Sequence, residues 1–183
     1  MPFTFVSGNL GLDFAGTLMH RDAAPEELLS SPRLLQQWLA ESGLVDSPPA
    51  VSEADLTVAL TVREAIYRLA LASVTGVRRR QEDIDLVNRA AAEAPVSLCL
   101  TRDGLRKTGD TTAVTATIAR EAVVLLGGPD ASRIRQCGDL PCTRLFVDTS
   151  RSGSRRWCDM AGCGNRAKVA GFRARRSAGH PGS

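Results

Sequence analysis

Four cysteines in two pairs constrain this chain more than any other feature. Cys137-Gly-Asp-Leu-Pro-Cys142 and Cys158-Asp-Met-Ala-Gly-Cys163 each hold four residues between partners, and fifteen residues separate the pairs. Thiolates spaced in this way can converge on one tetrahedral ion, and soft sulfur donors favour zinc. Two disulfides or a redox-reactive set would use the same residues. They fit less well, because the N-terminus has no basic region or cleavage site and the fifth cysteine, Cys99, lies alone in an apolar run. Four protein ligands leave no coordination position for water, so the expected ion holds shape and performs no chemistry.

Gly138 and Pro141 let the first pair bend as a knuckle. Leu145-Phe146-Val147 and Arg155-Arg156-Trp157 are expected to pair as short strands, with Trp157 in the module's core. A helical run from Arg166 to Arg176 starts beside Cys163, and the partial positive charge of its N-terminus favours that thiolate. Knuckle, hairpin and helix predict a treble-clef-like zinc module with Cys137, Cys142, Cys158 and Cys163 as ligands.

The stretches Leu145-Phe146-Val147-Asp148-Thr149-Ser150, Arg155-Arg156-Trp157-Cys158, Cys163-Gly164-Asn165-Arg166-Ala-Lys168 and Arg173-Ala-Arg175 resemble the CGNR-type zinc finger, from about Ile134 to Arg176. That finger closes a group of bacterial proteins regarded as stress-induced transcription regulators. Their N-terminal domain, ABATE, opens on a signature similar to Leu10-Gly-Leu12-Asp13-Phe14-Ala-Gly16-Thr17, although Gly16 stands where the family more often has Asn. The resemblance implies a regulator over the full length.

The remaining pattern is helical. Ser31 and Pro32 open a helix to Ser42 that Gly43 ends, with Leu34, Leu35, Trp38 and Leu39 on one face. Ser52 and Asp55 form a capping box before a long run to about Val74, and Gly76 stops it. Residues 82–93 and Thr112 to Leu126 give two more helices, the last ended by Gly127-Gly128-Pro129. Between them, Val96 to Leu100 and Leu105 to Lys107 alternate across Arg102-Asp103-Gly104, which predicts a short hairpin with Cys99 packed as a small hydrophobe. Residues 3–18 suit a strand or a strand-to-helix transition, with Asp13 anchoring a nearby turn. The expected fold is mainly α with a short β-hairpin (α+β): a helical domain over 1–128, the zinc finger over 129–176 and a flexible tail over 177–183.

Charge divides along the same line. The net +3 combines a balance of +8 from Arg133 onward with −5 over residues 1–132. A basic end on an acidic body points to a polyanion partner, duplex DNA above all, with Arg166, Lys168, Arg173, Arg175 and Arg176 as candidate contacts. Arg166 has a competing role, bracing the knuckle through its carbonyls or Asp148. The Arg78-Arg79-Arg80 run reads as a solvated loop paired with Glu82, Asp83 and Asp85. Nucleotide-loop, nucleophile-elbow and metalloprotease motifs are all missing, and there are only two histidines, so no enzyme is expected. A pocket around Asp13 and Arg21 would be the one place for a reaction. No apolar run is long enough for a membrane helix, so a cytoplasmic protein is expected, one whose helical domain senses an unidentified effector or forms a homodimer. The rival to a DNA-binding regulator is a protein–protein or RNA-binding adaptor.

Overall fold

The computed structural model describes residues 3–178, with side chains through residue 173. Helix boundaries follow the capping residues. Asn9 accepts from the Leu12 amide to open α1 (Leu10–Ala15). Ser31 caps α2 (Pro32–Ser42), which Gly43 ends at φ 66°. The Ser52–Asp55 capping box starts α3 (Glu53–Thr75), and Gly76 closes it at φ 72°. Then follow α4 (Gln81–Ala92) and α5 (Thr111–Gly127), the latter capped by Asp110. Residues 3–18 thus resolve into an extended segment leading to a short helix.

Three antiparallel two-stranded pairs complete the body: β1 (Leu18–Met19) with β2 (Glu26–Glu27), β3 (Ser97–Thr101) with β4 (Gly104–Thr108), and β5 (Ile134–Gln136) with β6 (Leu145–Val147). The last described element is α6 (Asn165–Ala178), so Ser177 and Ala178 belong to a helix and residues 179–183 lie outside the described residues. No helix among the described residues is long and apolar enough to cross a membrane.

The core gathers Leu12, Phe14, Leu35, Trp38, Leu39, Val62, Ile66, Val114, Ile118 and Ala122, each at most 2% exposed. Leu60 packs at its margin, half-buried, and Leu34 is half-buried without joining it. At Gly11 an added Cβ would stand 2.9 Å from the Ala122 Cβ, so the missing side chain is what lets α1 lie against α5.

Two sequence expectations are corrected here. Leu145–Val147 pairs with Ile134–Gln136, Val147 opposite Ile134, and not with Arg155–Trp157. The reason is apolar burial: Ile134, Leu145 and Val147 enter the helical core. The chain after Val147 is turned away by Asp148, whose carboxylate accepts from the Ser150 amide (2.9 Å), the Ser150 hydroxyl (2.6 Å) and the Arg155 amide (3.1 Å). The second correction is Cys99, which is exposed. The β3–β4 hairpin meets the body at its base, where Lys107 and Asp46 exchange backbone and carboxylate bonds and Val96 donates to Thr117. Leu98, Leu100 and Leu105 remain exposed along it.

Candidate metal centre

The first knuckle leaves β5 at Cys137. Its ends are fixed by backbone bonds, from the Cys137 amide to Arg144 O (2.9 Å), from the Gly138 amide to Arg156 O (2.9 Å) and from the Cys142 amide to Asp139 O (2.7 Å). The second begins at Cys158, whose amide points at the Cys137 sulfur (3.4 Å). Asp159 then caps a wide turn of π-helical geometry, Met160–Gly164, by accepting from the Ala161 and Gly162 amides. A Cβ on Gly164 would lie 2.9 Å from the Met160 sulfur, which folds back over this turn.

These two knuckles bring all four cysteines together, with sulfur atoms within 4.8 Å of one another. Cys142 and Cys158 are 3.8 Å apart, and Cys158 and Cys163 are 3.6 Å apart. Sulfurs about 2.3 Å from a central zinc in a tetrahedron stand about 3.8 Å from each other. The donor set therefore suits a tetrahedral metal ion, and no two of the five cysteines are joined in a disulfide. Cys137, Cys158 and Cys163 are buried, and Cys142 is half-buried.

Without a cation the cluster holds its protons unevenly. Hydrogen bonds from the Cys142 and Cys158 thiols pull Cys137 far down, toward thiolate. The hydrogen bond with Cys137 raises Cys158, and burial pushes Cys163 up to about 12. A bound divalent ion would replace those protons as the counter-charge.

Arg166 spans the two knuckles. Its Nη2 donates to the Cys163 sulfur (2.9 Å), and Nε and Nη2 reach Asp139 Oδ2 at 2.9 and 2.7 Å. The bracing role expected for it holds, with Asp139 as the partner in place of Asp148. Arg155 fixes the opposite side: its guanidinium stacks 4.4 Å from the Phe146 ring and donates to the carbonyls of Trp157, Cys158 and Val6. Phe146, fully buried, is the floor of the metal cluster, with Trp157 packed at its edge as predicted. Asp148 is almost fully buried, and hydrogen bonds from Ser150 hold its carboxyl below the usual carboxylate range.

The sequence reading missed the contacts that seat this module on the helices. Thr143, next to Cys142, accepts from the Arg21 amide (3.2 Å) and offers its carbonyl to the Tyr67 hydroxyl (3.4 Å). Arg144 donates to Thr4 O (3.0 Å) and takes up the space beside Gly16, where a Cβ would meet its guanidinium at 3.2 Å. An Asn at position 16 would need that arginine to move. Asp13 accepts from the Val6 and Ser7 amides (both 2.9 Å), the anchoring role expected of it, and burial raises its carboxyl above the ordinary value. Arg21 instead pairs with Glu64 (2.5 Å) and lies 3.7 Å from the Tyr67 ring centre. Asp13 and Arg21 therefore serve different structural ends. Arg63, 2% exposed, joins Glu27 (2.6 and 2.7 Å), Glu64 (2.9 Å) and Thr17 (3.1 Å). An arginine on the buried stripe of α3 was the one sequence sign of this cluster.

Of the other candidates, Lys168 and Arg173 are exposed on α6, and the side chains of Arg175 and Arg176 lie outside the described residues. α6 departs from the metal cluster with Val169 and Phe172 also exposed, 49% and 54%.

Comparison with protein families gives two matches. The ABATE family, described as "Putative stress-induced transcription regulator", matches residues 8–129, and the CGNR zinc finger matches residues 133–176. No curated protein matches the chain.

Proposed function

The chain belongs to the ABATE family, closed by a CGNR zinc finger, and from that premise we propose that it is a zinc-dependent transcription regulator whose finger binds duplex DNA through α6. The observation that carries the reading is the setting of α6: the metal cluster fixes its first turn through Cys163 and Arg166, while Lys168 and Arg173 are exposed along the helix beyond. A helix held at one end and cationic along its length can lie against a phosphate backbone. Arg166, already bound to Cys163 and Asp139, serves the metal. Lys168, Arg173, Arg175 and Arg176 serve the nucleic acid. Zinc is the ion that four thiolates at this spacing suit best, and with every position taken by sulfur it is structural, so no catalysis is assigned.

Duplex binding measured across a salt series tests this. Lys168→Ala and Arg173→Ala should each weaken binding to all sequences alike and lower the slope of log K against log salt by about 0.9. Unchanged affinity and slope in the double variant, with the metal retained, would contradict it. A protein-binding adaptor is the second reading, favoured by Leu140 (90% exposed), Met160 (51%) and Phe172 around the same module. It predicts partner binding that survives high salt.

A further inference from the structure

The arginine run Arg78-Arg79-Arg80 does not simply dissolve into a solvated loop. Past Gly76 it turns back along α3 and, with Arg68, Leu71, Ala72, Thr75, Val77 and Asp83, lines an open groove of about 340 Å³. Ligand sites span roughly 300–1,000 Å³, so the groove has room for a small organic molecule.

The charges around it are not balanced. Arg68 is paired with buried Asp83 by three bonds of 2.6 to 3.2 Å, and Arg80 with Glu82 at 2.6 Å. Arg79 is held in place through one nitrogen only, its Nη2 donating to Ser73 Oγ (2.8 Å) and Leu126 O (2.9 Å). Its Nε and Nη1 have no protein partner among the described residues, nor does the guanidinium of Arg78. Two positive charges without a carboxylate partner among the described residues thus belong to the groove's lining, one of them already oriented, and Leu71, Ala72 and Val77 supply its apolar part. The C-terminal end of α3 supplies only a partial negative charge against them.

We propose that this groove binds a small amphiphilic anion, an organic phosphate or carboxylate whose aliphatic or aryl tail lies against Leu71, Ala72 and Val77 while Arg78 and Arg79 hold the headgroup. Guanidinium forks match both oxyanions in two-point contact, and the apolar part selects for a tail that inorganic phosphate and nucleic-acid backbone lack. Arg79 also donates to Leu126 O on α5, so the ligand would sit between α3 and the start of α4, and one of its two arginines is anchored to the C-terminal end of α5.

Calorimetric titration of the full metal-loaded chain with n-hexyl phosphate, hexanoate, inorganic phosphate and hexanol tests the site. The two hexyl anions should bind roughly tenfold tighter than either inorganic phosphate or hexanol, since each charge-assisted contact and the buried tail contribute separately. Arg78→Gln, an exposed change that leaves the fold intact, should weaken hexyl phosphate roughly tenfold, and Val77→Ser should erase part of the advantage over inorganic phosphate. Equal binding of hexyl phosphate to the unmodified chain and to Arg78→Gln overturns the proposal. So does a loss of duplex DNA affinity in Arg78→Gln with hexyl phosphate binding unchanged, which would assign the arginines to nucleic acid.

Discussion

Arg166 ties one ligand of the metal to the opposite knuckle, so its removal should act on the metal first. Groups that hydrogen-bond a metal ligand typically contribute 10- to 100-fold in metal affinity. Arg166→Ala is therefore expected to raise the zinc dissociation constant about 10- to 100-fold in a chelator competition, and Arg166→Lys should recover little, because one ammonium cannot span both Cys163 Sγ and Asp139 Oδ2. Unaltered zinc affinity in Arg166→Ala would contradict the bracing role. Proton release is a second check at this scale. Cys158 and Cys163 hold their protons in the metal-free cluster because both pKa values are raised, so metal binding must displace them. A pH-stat should record about two or more protons released per zinc near neutrality, and affinity should fall as pH falls; release of less than one would contradict the raised thiols. Spacing alone picked out the four cysteines that the fold brings together. It could not identify Asp139 as the partner of Arg166, because the two approach only after both knuckles have closed.

Among the elements, β6 is where two cores divide. Alternation along a strand sends Leu145 and Val147 into the helical core and Phe146, between them, under the metal cluster. Leu145→Ala should cost about 2 to 5 kcal/mol of global stability with zinc affinity near normal. Phe146→Ala should weaken zinc retention as well, since it removes the floor beneath Cys137, Cys158 and Cys163. Chemical denaturation paired with chelator competition separates the two, and identical profiles for both variants would refute the division. The helices were legible to within a few residues because their caps are local: Ser31, Gly43, the Ser52–Asp55 box and Gly76 act on their own turns. Strand pairing was not, since three apolar residues at 145–147 suit either neighbour, and Ile134 wins only by the core it reaches. Cys99 misled for a related reason: alternation marks a hairpin but does not say whether anything packs on it.

At the scale of the molecule, the finger is fastened to the helices along its length. Ile134, Leu145 and Val147 share the helical core, Arg155 reaches Val6 O, Arg144 reaches Thr4 O, and Thr143 meets Arg21 and Tyr67. Zinc binding should therefore stabilise more than the finger. Removing the metal is expected to lower the melting temperature of the helical signal too, because ligand binding to the folded state shifts the whole cooperative unit. A helical transition indifferent to zinc would mean the two parts unfold separately. None of this docking was readable from the sequence, since Arg144 and Thr143 carry no pattern and find their partners 76 or more residues away.

The proposed function requires that a metal at Cys137, Cys142, Cys158 and Cys163 aim α6 at DNA. Titrating zinc into the metal-free chain while following both metal uptake and duplex DNA binding at low salt measures it directly. DNA affinity should rise in step with zinc and reach its plateau at about one ion per chain, and log K should fall linearly with log salt. DNA binding that is equal with and without zinc, or absent from the fully loaded protein at low salt, would contradict it.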